Sequence, residues 1–272
     1  MSSDSNLITQ KSLGDSKPIL LAIIAFYSLS FFAHWFIILL YFWIPFEPLQ
    51  ILSAWTPNIA VLLVVYFILR DKEGLKNLFL GWKKYQLSPI WLLIGFSPAI
   101  ISVLIILVYY FFGGAPSQVE INWFYIIFMI LIALITGATG EELGWRGFLQ
   151  PHLQQKYSPL VSSIIVGLAW GLWHLPLWLT GIWTDTNLVL YLIKIIAYSI
   201  VIGWAFNNTN QSLFLASMFH YFINVSILSI DLGLITLEAY SMISPIIYSL
   251  YAISIVGTSL FIKKTNFITG KG

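Results

Sequence analysis

Residues 122–148 read NWFYIIFMILIALITGATGEELGWRGF, and this stretch decides the kind of fold that the chain can have. An almost uninterrupted apolar run leads directly into Glu141, Glu142 and Arg146. A run of about 20 apolar residues is long enough to cross a bilayer as a helix. Ionisable groups at membrane depth are costly, so they favour a functional interpretation in which each has a partner. The stretch therefore predicts a membrane span that ends in a polar, functional segment.

The composition of the whole chain also indicates a membrane protein. Hydrophobic residues make up 59% of the 272 residues and charged residues only 9%, far from the balance of a soluble domain. The apolar stretches are spread along the chain, so we predict an all-α, polytopic bundle of transmembrane helices in contact with lipid. The chain has no cysteine, which excludes disulfides, thiolate nucleophiles and cysteine-ligated zinc. No basic block indicates nucleic acid as a partner.

Eight segments are long and apolar enough to span a membrane. They cover residues 19–44, 49–69, 89–112, 122–145, 159–180, 188–206, 212–230 and 240–262. If the spans alternate, every lysine and arginine except Lys194 falls on one side, which the positive-inside rule makes the cytoplasmic side. We therefore expect one multi-pass domain of the cell membrane at residues 19–262, with cytoplasmic tails at 1–18 and 263–272. The polar loop from Arg70 to Ser88 is expected to lie along the cytoplasmic face.

The two adjacent glutamates are predicted to have different partners. Arg146 follows Glu142 by four residues and can pair with it on one helix face, whereas Glu141 points about 140° away from Arg146. A carboxylate without a cationic partner in a dry site favours a general base. The structural interpretation is that both glutamates lie at the cytoplasmic interface. The depth of the pair depends on whether the fourth helix ends near residue 142 or continues to about Gln155.

Two further apolar segments carry polar groups. His174 lies about fifteen residues into the fifth span, just before Pro176, which weakens the helix beside it. His220 and Asn224 are four residues apart on one face of the seventh span, and such a pair can bind a metal or donate hydrogen bonds to an oxyanion. The structural interpretation in both cases is a hydrogen bond between helices.

Other features are assigned structural roles. Glycine pairs four residues apart, Gly140/Gly144 and Gly167/Gly171, are expected to let the fourth and fifth spans approach closely. Lys194 is interpreted as a lysine that extends to the membrane interface. His34 is isolated in the first span and His152 is near the cytoplasmic end of the fourth, so neither is expected to act chemically.

Three motifs, taken in order, resemble the CPBP intramembrane protease family, which includes the type II CAAX prenyl endopeptidases and bacteriocin-processing, Abi-like enzymes. The family has Glu-Glu-x-x-x-Arg, Phe-x-x-x-His and His-x-x-x-Asn/Asp motifs. Here they read EELGWR at 141–146, WGLWH at 170–174 and HYFIN at 220–224. The resemblance covers about residues 125–230. Trp170 departs from the usual phenylalanine; it keeps an aromatic wall, and we expect it not to touch the chemistry.

The resemblance implies an intramembrane endopeptidase that acts on a membrane-associated peptide or protein, of the prenylated CAAX or bacteriocin type. Glu141 and His174 would activate a water molecule, and His220 with Asn224 would stabilise the oxyanion or hold a metal. Glu142, Arg146 and Trp170 would support them. Glu141, His174 and His220 could also supply three ligands to Zn²⁺ or another divalent metal, although no HExxH motif is present and a metal-free reaction stays open.

Two other functions are consistent with buried glutamate and histidine. One is a bacteriocin-immunity or binding protein of the same fold that acts without cleavage. The other is a proton-coupled transporter, since such residues also form proton relays. A transporter should show inverted repeats with paired broken helices, which the sequence lacks.

Overall fold

A computed structural model describes residues 16–183 and 186–261, and every regular element in those ranges is helical. Both predicted tails lie almost wholly outside the described residues. The α-helices are α1 (Ser16–Trp43), α2 (Pro48–Ala54), α3 (Thr56–Leu63), α4 (Lys72–Leu80), α5 (Pro89–Phe111), α6 (Trp123–Ala133), α7 (Gln150–Leu153), α8 (Pro159–Trp173), α9 (Pro176–Leu179), α10 (Leu188–Asn208), α11 (Leu213–Ser226), α12 (Leu228–Asp231) and α13 (Leu237–Phe261).

The described helices confirm the prediction of a polytopic bundle. Seven are long and apolar enough to cross a membrane, and a bent pair, α2 with Thr56–Ile68, would make an eighth. The second member of this pair is α3 together with the π-helical segment Val64–Ile68. The predicted second span is therefore interrupted, with a bend of 51° between its two parts. Loop contacts agree with alternating spans. Lys84 Nζ donates to Asn210 O at 2.6 Å on one side, and Ser117 N donates to Gly233 O at 2.8 Å on the other.

Pro57 explains the bend between α2 and α3. Proline has no N–H, so it cannot donate to the carbonyl four residues earlier, that of Ser53. That carbonyl instead accepts from Thr56 Oγ1 at 2.8 Å and lies 3.3 Å from His34 Nδ1. The freed backbone group is thus satisfied inside the protein, as it must be at membrane depth.

The glycine pairs permit close packing, but the expected partner spans were wrong. A Cβ on Gly144 would lie 2.7 Å from the Pro57 carbonyl oxygen, so Gly144 contacts α3. A Cβ on Gly167 would lie 2.9 Å from the Ile196 Cα, so that glycine contacts α10. The spacing of the glycines predicts a close approach and not which helix approaches. The fourth span packs on the second, and the fifth on the sixth.

The segment that follows the second span is more ordered than a polar loop. Helix α4 begins after Asp71, whose side chain accepts from Gly74 N at 2.8 Å and so caps the first turn. A short 3₁₀ turn, Gly81–Lys83, follows it. Gly81 lies against Leu213 at the start of α11, so this segment packs onto the bundle.

Candidate functional site

The fourth span changes helix type on both sides of the glutamate pair. Two π-helical segments, Leu134–Ala138 and Leu143–Leu149, flank Glu141 and Glu142. The span then continues through α7 to Leu153, so the longer of the two predicted lengths is the one observed. Single π-helical turns are uncommon and often occur at functional sites. Glu141 and Glu142 are therefore interior to a span and are only 5% and 0% exposed.

Side chains near the start of α3 hydrogen-bond to backbone groups of the irregular helix. Asn58 Nδ2 donates to Thr139 O at 2.6 Å, and Asn58 Oδ1 accepts from Gly144 N at 3.1 Å. Trp55 Nε1 donates to Ile135 O at 2.9 Å. Asn58 was not singled out from the sequence, although a lone amide side chain in an apolar span is a signal that could have found it. It holds the helix at the point where the glutamates lie.

Glu142 forms the ion pair that the sequence predicts and one further contact. Arg146 Nη1 donates to Glu142 Oε1 at 3.0 Å, and both side chains are fully buried. His220 Nδ1 lies 2.6 Å from the same oxygen. Since a carboxylate accepts, Nδ1 is the protonated nitrogen, and in a neutral ring Nε2 is then the acceptor. Glu142 therefore orients the histidine of α11 as well as neutralising Arg146.

Glu141 has no cationic partner among the described residues and instead accepts from two indoles. Trp170 Nε1 donates to Glu141 Oε2 at 2.6 Å and Trp145 Nε1 at 3.3 Å. No described group hydrogen-bonds the other oxygen, Oε1. The expectation that Trp170 would not touch the chemistry was wrong. Its ring N–H binds the candidate base directly, which a phenylalanine cannot do.

Trp170 also contacts Arg146 and the two histidines of the site. Its backbone carbonyl accepts from His174 Nδ1 at 2.8 Å, which leaves His174 Nε2 as the acceptor of a neutral ring. Its ring centroid lies 4.9 Å from that of His220 and 4.8 Å from the Arg146 guanidinium carbon. Glu141, His174 and His220 are thus arranged around one residue, Trp170.

His174 follows the last residue of α8, and the next helix, α9, begins at Pro176. Its ring is half-buried, stacked on Trp183 at 5.6 Å and edge-on to Tyr191 at 5.7 Å. His34 is nearer than the sequence indicated. It stacks on Trp173 at 3.7 Å, and its ring centroid is 6.3 Å from that of His174. No sequence pattern connects His34 with residues 140 positions away.

His220 and Asn224 share one face of α11, as their spacing predicts, and this face meets the fourth span at Gly137. A Cβ built on Gly137 would lie 2.6 Å from His220 Nε2 and would collide with Asn224 Nδ2. Only glycine allows the helices to approach this closely. Gly137 lies within the quoted stretch, yet nothing in its spacing set it apart from the neighbouring glycines.

The predicted metal ligands do not fit a metal as they are placed. Glu141 is bonded to indoles, and no direct hydrogen bond between the described side chains joins it to His174 or His220. Within residues 16–183 and 186–261, no group of three or more His, Asp or Glu side chains could hold a metal ion. A metal site built from these three residues would need side-chain rearrangement.

These features define a class of protein. It is a multi-pass helical membrane protein in which two glutamates, two histidines, an asparagine and an arginine from three spans form a polar centre. Buried groups of this kind, oriented by fixed donors, are typical of a catalytic site.

Comparison with known proteins confirms the resemblance seen in the three motifs. Residues 122–226 match the family described as type II CAAX prenyl endopeptidase Rce1-like, and this range contains all the candidate site residues. The chain is also 33% identical over 170 residues to CAAX prenyl protease 2 of Methanococcus maripaludis. The alignment covers 57% of this chain and 61% of that relative. The chain therefore spans about three fifths of the length of the relative that it matches.

Proposed function

We propose that this protein is an intramembrane endopeptidase in which Glu141 removes a proton from the attacking water. One observation carries the proposal: Glu141 is buried, both of its indole donors bind Oε2, and the nearby Arg146 is paired with Glu142. Oε1 is left to accept a proton, while Oε2 is held still by two donors. A base held in this way needs no reorientation before it acts.

The histidines and Asn224 complete the proposed reaction. His174, with its Nδ1 proton bound to the Trp170 carbonyl, presents Nε2 to the same water. Asn224 donates to the oxyanion that forms when water attacks the carbonyl carbon. His220, whose ring Glu142 orients through Nδ1, lies on the same face of α11 and acts beside Asn224 at the oxyanion. The proton taken up by Glu141 then passes to the leaving amine.

The substrate class is taken from the relative and the matching family. The name of the Methanococcus maripaludis relative is CAAX prenyl protease 2, so we propose a membrane-associated peptide with a prenylated cysteine as the substrate. A multi-pass protein with its polar centre inside a span suits a substrate that is anchored in the same bilayer. We further propose the cell membrane as its location, with the basic loops in the cytoplasm.

Glu141→Gln tests the proposal, because the amide keeps the shape and cannot take up a proton. Purified protein in liposomes is incubated with a farnesylated Cys-aliphatic-aliphatic-X peptide, and the products are identified by mass spectrometry. We expect kcat to fall by about 10²–10⁴-fold. Glu73→Gln is the matched control, since Glu73 pairs with Lys76 on an exposed surface. If Glu141→Gln cleaves as fast as the wild type, Glu141 is not the base. If the wild type does not cleave, the non-proteolytic alternative gains support.

The same assay tests the predicted metal. Full activity after exhaustive chelation supports the reaction described here. Loss of activity that Zn²⁺ restores would return Glu141, His174 and His220 to the role of ligands, and would require them to move from the positions described above.

A further inference from the structure

His34 is a buried polar residue that the proposed reaction does not use and that lies outside the matched range 122–226. It is 3% exposed, and its Nδ1 is 3.3 Å from Ser53 O. Its Nε2 is also buried and has no hydrogen-bond partner among the described residues. An unpaired polar atom at membrane depth costs free energy, which a phenylalanine of similar shape would not. A histidine at this point therefore indicates more than filling of the core.

The break in the second span fixes the plane of the His34 ring. Pro57 leaves the Ser53 carbonyl without its helical donor, and His34 Nδ1 donates a hydrogen bond to that carbonyl. With one nitrogen bonded to the backbone of another span, the ring turns one face to Trp173, the last residue of α8. The two ring centroids are 3.7 Å apart, with 29° between the planes. The first, second and fifth spans therefore meet at this stack.

Trp173 connects the stack to both sides of the candidate reaction centre. Its ring centroid is 4.6 Å from that of His174, with 86° between the planes. It also lies 6.2 Å from the ring centroid of Trp145, which donates to Glu141. The ring centroid of His34 itself is 6.3 Å from that of His174. One buried indole thus separates His34 from the histidine that acts on the attacking water and from a donor to the proposed base.

His174 needs such lateral contacts because the helix does not continue past it. It follows the last residue of α8, and α9 begins two residues later at Pro176. One hydrogen bond, from Nδ1 to Trp170 O, sets the tautomer of the ring. Trp183 stacks on the ring with 17° between the planes, whereas Trp173 contacts it nearly at right angles. Contacts from two directions restrict rotation of the ring more than either contact alone.

We propose that His34 is a positioning residue: its ring holds the indole of Trp173 in place, and Trp173 in turn holds His174 with Nε2 available to the attacking water. This inference rests on the proposed peptidase function and adds to it a residue of the first span. His34 does not touch the peptide in the proposed reaction, so its loss should lower kcat and leave KM unchanged.

Two substitutions separate the ring of His34 from its hydrogen bond. His34→Phe keeps a flat ring against Trp173 and removes the donor to Ser53 O, whereas His34→Asn keeps a donor and removes the ring. In the farnesylated-peptide assay we expect His34→Asn to lower kcat by about 10- to 100-fold at unchanged KM, because a misplaced catalytic group costs that much. His34→Phe should recover most of this loss. Trp173→Phe, which places a smaller ring in the same stack, should lower kcat in the same way.

His152→Asn is the matched control, because His152 has the same two kinds of contact at the end of the fourth span. Its Nδ1 is 2.7 Å from Phe148 O, and its ring centroid is 4.3 Å from that of Phe148. We expect this variant to keep the wild-type kcat. An equal fall of kcat in His34→Asn and His152→Asn would show a general loss of packing and would overturn the inference.

The orientation of His174 can also be measured without cleavage. The chain has four histidines, so labelling the purified protein with ¹⁵N-histidine gives few ring signals, whose ¹⁵N shifts distinguish the two neutral tautomers. The wild type and His34→Phe should show His174 with its proton on Nδ1, as the bond to Trp170 O requires, and His34→Asn should show both tautomers. An unchanged His174 signal or an unchanged kcat in His34→Asn would overturn the inference. If the signal responds but the wild type does not cleave the peptide, the peptidase function fails and the positioning of His174 by His34 stands.

Discussion

The two segments that supply most of the candidate site are built in different ways. Glu141, Glu142 and Arg146 lie between two π-helical segments of the fourth span, whereas His220 and Asn224 lie on α11, a regular helix. In a regular helix, residues four apart share a face, so the spacing alone places Asn224 beside His220. A π-helical turn contains an extra residue, so residues four apart across such a turn do not always share a face.

The difference also appears in what holds each segment. The backbone of α11 satisfies its own hydrogen bonds, apart from its capped first turn. The irregular segment is also held by Asn58 of α3 and by Trp55 just before α3, which together bind three of its backbone groups. Polar groups at membrane depth are thus placed by side chains distant in sequence. Substitutions in or against the irregular segment should therefore have larger effects than substitutions in regular helices.

Glu142→Gln should have the largest effect, because Glu142 is the side chain that joins the two segments. The variant leaves Arg146 charged and buried without a counterion, which destabilises a protein by about 3–5 kcal/mol. It also removes the carboxylate that orients His220, so hydrolysis should be lost. Thermal unfolding in detergent and the peptide assay measure the two effects.

A double variant distinguishes the two roles of Glu142. Glu142→Gln with Arg146→Met removes both buried charges, so it should recover most of the stability. Activity should stay lost, because His220 still lacks its partner. An unchanged unfolding temperature in the single variant would show that the pair contributes little to the fold.

Gly137→Ala should have the next largest effect, on activity more than on folding. The new methyl group would occupy the space now filled by His220 Nε2 and Asn224 Nδ2, so α11 must shift away from the fourth span. A displacement of about 1 Å can reduce a rate about 10²-fold. Gly257→Ala in the continuous helix α13 is the control, since a Cβ there has no described atom within 4 Å. Equal activity of the two variants would mean that the contact at Gly137 has no role in positioning.

The sequence was sufficient for those parts of the site that regular geometry determines. Apolar runs predicted the spans, and a spacing of four predicted that His220 and Asn224 share a face. The same spacing predicted the pair Glu142/Arg146, which forms although Arg146 lies in a π-helical segment. The contact of Glu142 with His220 could not be predicted, because it joins residues 78 positions apart and depends on how α11 packs on the fourth span. The same holds for Asn58, which acts across 81 and 86 positions. Tertiary packing decides these contacts, and one sequence does not contain that information in a local pattern.

Trp170→Phe should have the smallest effect and gives the most specific test of how the irregular segment holds Glu141. Phenylalanine is the usual residue at this position in the family that the motifs resemble, so the fold should be kept. It removes the 2.6 Å hydrogen bond to Oε2, and Trp145 at 3.3 Å becomes the single remaining indole donor. A hydrogen bond to a charged group contributes about 1.5–3 kcal/mol, so we expect kcat to fall at least about tenfold. KM should change little, because neither indole binds the peptide in the proposed reaction. Trp43→Phe, at a residue that is 79% exposed on α1, is the matched control. If Trp170→Phe keeps the wild-type kcat, Trp145 and the helix backbone are sufficient to orient Glu141, and Trp170 acts only as an aromatic wall.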